Sequence, residues 1–558
     1  MIARLRRRAI RQLRRAGQLE RALRARNVFR SRRETALRRR RRRHVDRRLR
    51  RAAGSDDRWM LATTGTSRHT MKAVLAQRRE HRRVIDVMVA NRALVLDALG
   101  ATGITSVDVP VDSSNRYRVA VRHESEMVLW SLVAAAPYAT YVYFDTDSVS
   151  RPTRVQHLAT APKAVLRRLA ARASVWRVFT FYADEDGVDL LGDLHGCEIE
   201  FWRPARFGDG VRSRRWNRYA TTLPRETFTS ATRPTLPAFT DAVEFPIDLV
   251  YTWVDGTDPR WLQRRAETLG LVDFATRHGE AASDARYLSR DELLYSLRSV
   301  ERFADFVNHV YVVTDQQHPE WLRDDHPRLT VVDHCEIFSD RRCLPTFNSH
   351  AIESRLHHIP GLSEHYVYFN DDFFFGRRVE PTTFFHGNGL AKFFTSRSLI
   401  PVGEPDHVSF KPVDAAAMNG RKVIAAKFGR SPTYKFKHAP YPQLRSVMFD
   451  IEDLFPDEVA TTSASHVRSP SDLALASSLH HHVAYLTGRA VPGSISSYYA
   501  DLGQANLAGR LAHLRRVRRY DTFCLNDTDL GEIDEVAKAR LMSEFFRAYF
   551  PEPSSFER

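Results

Sequence analysis

Cysteine is scarce in this chain, and so are the features that would mark a secreted or membrane-spanning protein. Four cysteines, Cys197, Cys335, Cys343 and Cys524, are spread over 558 residues without a C-x-x-C spacing. They are too few to staple a chain this long, so free buried thiols in a reducing compartment are expected. Long apolar runs are missing as well. The longest uncharged stretch, Met127 to Phe144, contains Pro137 and falls short of the ~20 residues that cross a bilayer, so it reads as buried strands. The N-terminus lacks the apolar core of a signal peptide, because arginine interrupts it every two or three residues. These absences point to a cytoplasmic protein.

Arginine is abundant, but in one place. Residues 1–51 hold 23 arginines and no lysine against Glu20, Glu34 and Asp46. Of the 85 basic and 67 acidic residues in the chain, 62 and 64 are left for the remainder, which is therefore nearly neutral. In the tail, Ile2, Leu5, Ala9, Leu13, Ala16, Leu19 and Leu23 recur at helical spacing among the arginines. A basic amphipathic helix of this kind can lie on an anionic membrane, where each arginine contributes about 1 kcal/mol. A solvated tail that touches any polyanion is the equal alternative. Nucleic-acid binding as the main function ranks a poor third, and no specific nucleic-acid partner is expected, since no basic and aromatic pattern continues into the body.

With 43% hydrophobic residues the body is ordinary globular protein, long enough for two or three domains. Residues 55–240 mix a helical stretch, "VIDVMVANRALVLDALG", with alternating runs such as "RYRVAVRH" and "YATYVYFD", as an α+β region with its own core would. "RPTLPAF", Arg233 to Phe239, is a proline-marked linker. From Phe245 the pattern becomes strand, polar turn, helix: "IDLVYTWV", "HVYVVTD", "LTVVDH" and "HYVYFND" are β-rich runs, each ending in polar or acidic residues. Between the first two, "SRDELLYSLRSVERF" carries a capping box of Ser289 and Glu292 and an apolar stripe of Leu293, Leu297, Val300 and Phe303 or Ala304. Strands separated by helices imply an α/β fold with a mainly parallel sheet, whose ligands bind beyond the carboxyl ends of the strands. Asp255, Asp315, Asp333 and Asp371 fall near such ends.

"FNDDFFFG" places Asp371 and Asp372 between a strand and three phenylalanines. An ionised pair in so apolar a setting needs a metal ion, a cationic side chain or a polar substrate. In "FPIDLVYTWVDGTDPRW", Trp253 and Trp261 flank a glycine turn; an aromatic face suits a base and the turn's N–H groups suit a phosphate. The histidine run His480 to His482 is rejected as a zinc site, since consecutive helical residues point in different directions.

Four blocks in this order, "FPIDLVYTWVDGTDP", "RDELLYSLRSVERF" with "LPTFNSHAIESRLHHIPGLSEHYVYFNDDFFFG", "KHAPYP…FPDEV…TSASHVRSPSD" and "FCLND", resemble the conserved regions of the Stealth family. That family includes bacterial capsular polysaccharide phosphotransferases and the catalytic subunit of N-acetylglucosamine-1-phosphotransferase. The resemblance runs from about Phe245 to Phe556 and leaves the first 240 residues uncovered. It implies a Rossmann-like nucleotide-sugar transferase core over 241–558, preceded by the smaller α+β region at 55–240 and the helical or disordered basic tail at 1–54. The implied reaction moves a hexose 1-phosphate from a UDP-sugar to a hydroxyl of a polysaccharide or other glycan, releases UMP and uses Mg²⁺ or Mn²⁺. The implied location is the cytoplasm, with the tail able to hold the protein at the inner face of the cell membrane.

Residue by residue, the resemblance matches Asp371, Asp372, His438, Arg421 and Arg468 to catalytic positions. Guanidinium forks suit phosphoryl oxygens, and an imidazole suits proton transfer. It places Trp253, Asp255, Gly256, Arg298, Asn348, Ser349, Glu353 and Asn370 in the substrate-binding set. Asp255 departs from the family, where Asn is frequent. Asp372, Asn526 and Asp527 are the expected metal ligands, although Asn526 and Asp527 suit helix capping before "DEVAKARLMSEFF" nearly as well. Two other readings stand beside this one: a metal-dependent glycosyltransferase that releases UDP, and a non-catalytic polyanion-binding protein.

Overall fold

The computed structural model describes Leu49 and residues 57–558, except 64–72, 79–82, 111–116, 123, 146–153, 185–189, 207, 215–218, 230–235, 272–286, 288, 406–409 and 528–532. The expected tail helix and residues 233–235 of the 233–239 linker lie outside the described residues. Among those described, no helix is long and apolar enough to cross a membrane.

The core of the second half is a five-stranded sheet. Its spatial order is Leu329–Asp333, Val307–Thr314, Ile247–Thr252, His365–Asn370, Tyr441–Leu444. The first four strands are mutually parallel and the last is antiparallel. Ile247, Leu249, Val250 and Tyr251 are buried on both faces of the sheet, as a central parallel strand requires. From this strand the chain moves outward to Val307–Thr314 and Leu329–Asp333, then returns to its other side at His365–Asn370. That reversal opens a crevice beyond the carboxyl ends of Ile247–Thr252 and His365–Asn370, where doubly wound sheets bind ligands.

Asp371 and Asp372 form the turn at this crevice. Beyond them the chain enters a second sheet, in which Phe373–Phe375 pairs antiparallel with Thr522–Asn526, itself parallel to Ser497–Asp501. Phe373, Phe374 and Phe375 are fully buried. Their burial contributes on the order of 5–9 kcal/mol, enough to offset the several kcal/mol of desolvating the neighbouring carboxylates. The three phenylalanines thus anchor the acid pair where two sheets meet.

The helix expected between the first two strands is Glu292–Phe303, with Leu293, Leu297, Val300 and Phe303 buried as expected. Its cap differs from expectation. Asp291, at φ 66°, is the N-cap and makes no side-chain cap bond, while the Glu292 carboxylate accepts from the Arg290 N–H. Met127 to Phe144 is not all strand either. It forms the helix Ser125–Ala135 and the strand Thr140–Asp145, because Val128, Leu129 and Leu132 share one buried helical face.

The first half is built on an 11-stranded sheet system spanning residues 59–223, larger in strand number than the five-stranded sheet it precedes. Helix Val84–Gly100 is shared between the two halves. Val84, Val87 and Met88 join the core of the second half, whereas Val95, Ala98 and Leu99 join that of the first. All four cysteines are free thiols, and Cys197, Cys343 and Cys524 are buried.

Candidate active site

Asp372 is the hub of the crevice. Cys524 donates its S–H (3.2 Å) and Asn526 its side-chain amide (3.1 Å) to Oδ2, and His438 Nε2 lies 3.9 Å from the same oxygen. The Leu525 N–H donates to the Asp372 carbonyl at 3.1 Å, so the "FCLND" strand fixes the acid through backbone and side chains together. These partners, His438 foremost, outweigh burial and hold the Asp372 carboxyl below its usual range. Asp371 behaves oppositely. Burial, with Asp372 and Glu292 nearby, raises its pKa well above the carboxylate range. Glu292, buried at the start of its helix, is raised to about 7, chiefly by desolvation. Adjacent acids whose environments drive their proton affinities apart are a mark of acid–base chemistry.

His438 is held on edge against the Phe373 ring, centroids 4.8 Å apart, with Nδ1 3.2 Å from the Tyr441 hydroxyl. Its Nε2 and the Oδ1 of Asp372 are both buried and without a hydrogen-bond partner. Buried polar atoms are rarely left so, and these two point to a missing reactant rather than to architecture.

Arg468 approaches from another loop and donates to Ser349 Oγ at 2.8 Å. Four residues along the same short helix, Glu353 is buried with Oε2 unpartnered. Burial raises its pKa, and His350, Arg468, the Tyr368 hydroxyl and His438 pull it back. Glu353 therefore links the Arg468 loop electrostatically to the His438 wall. Asn370 ends the strand beside Asp371, opposite Thr252. Asp371, Asp372, His438, Arg468, Ser349, Glu353, Asn370 and Asn526 thus share one region.

Other expected residues have different work. Arg421 donates to the carbonyls of Ile400 and Pro401, and no described hydrogen bond or ion pair joins it to Asp372, His438 or Arg468. Two positions earlier on its helix, Asn419 ties to the Pro470 and Asp472 carbonyls in the Arg468 loop; a two-residue step turns Arg421 about 200° from that face. Arg298 grips Glu557 (2.7 Å) and the Phe550 carbonyl (3.0 Å), latching the C-terminus instead of substrate. Asn348, fully buried, caps the helix that begins at Ser349 and donates to Asp472 at 2.8 Å, so it positions Ser349 and Arg468. Asp527 is clamped by Arg290 (2.6 Å) and Lys538 (2.9 Å). That pairing removes it from the metal set, and Asp534 rather than Asp527 caps the last helix.

The glycine turn is not an anion cradle. The Gly256 N–H donates to Tyr287 O, the Asp255 N–H to Gln317, and the Trp253 N–H to Val313 O. Glycine is needed at 256 because a Cβ there would lie 2.2 Å from the Tyr287 carbonyl oxygen. The Asp255 carboxylate closes its own turn on Thr257. Trp253 is packed partly into the core, and Trp261 is buried against Tyr287 and Phe347, so Trp261 offers no open stacking face. Asp315 pairs with Arg264, and Asp333 caps the helix after it. Of the four strand-end aspartates, Asp371 is the one that adjoins Asp372 in the turn at the crevice.

Sequence reading missed Glu292, Tyr368, Tyr441, Tyr499 and Cys524. Cys524 stood in view inside "FCLND". Glu292, Tyr368 and Tyr441 also stand inside the sequence motifs, Tyr441 three residues from its partner His438, and Tyr499 is reached only through Asn526.

A divalent ion fits the acid pair in a reduced form. Asp372 Oδ1 is an available buried oxygen with Asp371 next to it, and Mg²⁺ needs only one or two carboxylates alongside substrate phosphates and water. Asn526 Oδ1 is engaged by the Tyr499 hydroxyl at 3.2 Å. The donor set Asp372, His438 and Cys524 also lies within metal-ligating reach, and its softer atoms suit a transition metal better than Mg²⁺.

Patterns of known families match here. Stealth protein conserved regions 1, 2, 3 and 4 match residues 245–273, 286–393, 437–485 and 512–558. An exopolysaccharide phosphotransferase of Streptomyces coelicolor is 43% identical over 491 residues, covering 84% of this chain and 82% of the relative. Another from the same organism is 40% identical over 495 residues, covering 84% and 90%. The Mycobacterium tuberculosis exopolysaccharide phosphotransferase CpsY is 39% identical over 317 residues, covering 57% and 59%.

Proposed function

This chain belongs to the Stealth family, and from that premise we propose that it is an exopolysaccharide phosphotransferase that moves a hexose 1-phosphate from a UDP-sugar to a glycan hydroxyl. The observation that carries the reading is the pair of buried, unpartnered atoms His438 Nε2 and Asp372 Oδ1 in the crevice at the sheet's reversal point. His438 is assigned as the base, because its Nε2 is buried without a hydrogen-bond partner, whereas Asp372 Oδ2 is taken up by Cys524 and Asn526. With Nδ1 turned to Tyr441, Nε2 takes the proton of the acceptor hydroxyl, and the Asp372 carboxylate stabilises the imidazolium that forms. The acceptor oxygen bonds to the donor's β-phosphorus as the bond from that phosphorus to the UMP oxygen breaks. Arg468, beside Ser349, holds a phosphoryl oxygen and favours the charge that develops there.

Asp372 and Asp371 would hold Mg²⁺ alongside the donor's phosphates, where it would neutralise charge. The region 55–240 is assigned to acceptor recognition, since residues 241–558 account for the donor side. The basic tail is assigned to an anionic membrane surface at the cytoplasmic face.

The deciding experiment incubates the full chain with Mg²⁺, a glycan acceptor and a panel of UDP-sugars. UMP and a phosphodiester product are expected. UDP with a plain glycoside would replace this reading with a glycosyltransferase, and no turnover with any donor would favour a binding protein.

A further inference from the structure

Outside the crevice, three side chains from two segments converge without any part in the transfer reaction. His357 and His358 lie in the short turn Leu356–His358, and Glu452 lies on helix Arg445–Leu454. Their nearest ligand atoms lie within 4.8 Å of one another. His357 Nε2 is 3.3 Å and His358 Nε2 3.1 Å from the same carboxylate oxygen, Glu452 Oε2. Adjacent histidines normally diverge, as His480 to His482 do. Here Phe449, three residues before Glu452 and so on the same helical face, stands edge-on to both rings at 4.7 and 5.2 Å and turns them toward the acid.

We propose that Nε2 of His357, Nε2 of His358 and Oε2 of Glu452 form a zinc site with a fourth position open to water. Zinc bonds of about 2.0–2.2 Å at tetrahedral angles put ligand atoms roughly 3.3–3.5 Å apart, close to the spacings seen. His357 is fully buried, and its Nε2 is off hydrogen-bond geometry with the acid despite the short distance. A simple ion cluster leaves that atom unsatisfied, whereas a metal bond does not. Arg355 holds the other oxygen, Oε1, which His358 Nε2 also approaches at 3.0 Å, and the Arg355 contact fixes the carboxylate as outer partners of metal ligands do. The side chains of His358 and Glu452 are 28% and 20% exposed, so an ion can enter. Once bound, it staples the segment that carries Ser349 and Glu353 to helix Arg445–Leu454, alongside the bond from Arg445 to the His357 carbonyl (2.8 Å). By joining these two segments the ion positions the Arg468 side of the crevice from behind.

The test strips the full chain with chelator and reloads it with Zn²⁺ or Co²⁺ alone. One tightly held equivalent, a tetrahedral Co²⁺ spectrum and a zinc-dependent rise in Tm are expected. His358→Ala and Glu452→Gln should weaken binding by about a hundredfold or more, whereas His438→Ala should retain it. His358 is partly exposed, so its variant stays foldable even where a His357 variant does not. Failure of the wild type to retain zinc would overturn the proposal. So would loss of the metal in His438→Ala with retention in His358→Ala, which would place the ion on Asp372, His438 and Cys524.

Discussion

Two regions of the molecule, the large sheet of the first half and the crevice of the second, bury charge in opposite ways. In the first half, Glu198 and Glu200 lie inside the large sheet with arginine against them: Arg118 is 3.2 Å from Glu198 and 3.8 Å from Glu200, and Arg177 is 3.1 Å from Glu198. In the second half, Asp371, Asp372, Glu292 and Glu353 gather as like charges around a crevice, and Glu353 and Asp372 each keep an oxygen without a partner. Paired buried charge builds architecture, and its removal is felt as instability. Clustered like charge with unsatisfied atoms is costly to the fold and persists where chemistry uses it.

Substitutions can break or sharpen this contrast. The largest effect is expected at the unpaired cluster, where His438→Ala or Asp372→Asn should slow UMP release by about 10³–10⁴-fold with the circular dichroism spectrum unchanged. Near-normal turnover in both variants would end the contrast. Next, Glu198→Gln should cost about 3 kcal/mol of stability in urea titrations, because it leaves two arginines buried without their shared acid, while kcat of the folded fraction stays the same.

Glu292→Gln should act in the reverse sense and stabilise. Glu292 is raised to about 7 in the fold, so the native state binds more protons than the unfolded chain between about pH 4.5 and 7, and stability falls as pH rises through that window. Glutamine removes that loss, raising stability at pH 8 by up to about 3 kcal/mol and flattening the Tm–pH profile. An unchanged slope would show that Glu292 does not titrate there. The smallest effect is expected at Arg421→Ala, less than about tenfold on kcat/KM, since its guanidinium is taken up by the Ile400 and Pro401 carbonyls. A loss matching that of Arg468→Ala would return it to the site.

Much of this was legible in sequence, for reasons that are local. Apolar β-rich runs ending in acids gave the parallel strands and their carboxyl ends, and "FNDDFFFG" displayed the conflict between apolar flanks and charge that marks the hub. What escaped were roles set by tertiary partners. Arg298 meets Glu557, and Asp527 meets Arg290, across more than two hundred residues, and no local pattern foretells either. The Gly256 turn looked like a phosphate loop because the competing acceptor, the Tyr287 carbonyl, lies thirty-one residues on. The capping box at Ser289 failed for a similar reason, since Arg290 is drawn into the Asp527 and Glu535 cluster and the chain turns at Asp291.

Helix Val84–Gly100 belongs to both hydrophobic interiors at once, and this bears on how the protein can be taken apart. A scissile point near residue 240 looks natural, yet an excised catalytic fragment would leave bare the apolar surface that Val84, Val87 and Met88 cover. Calorimetry of the intact chain should accordingly record one melting event, and chimeras made by trading front halves between homologues should survive best when this rod travels with the portion it seals.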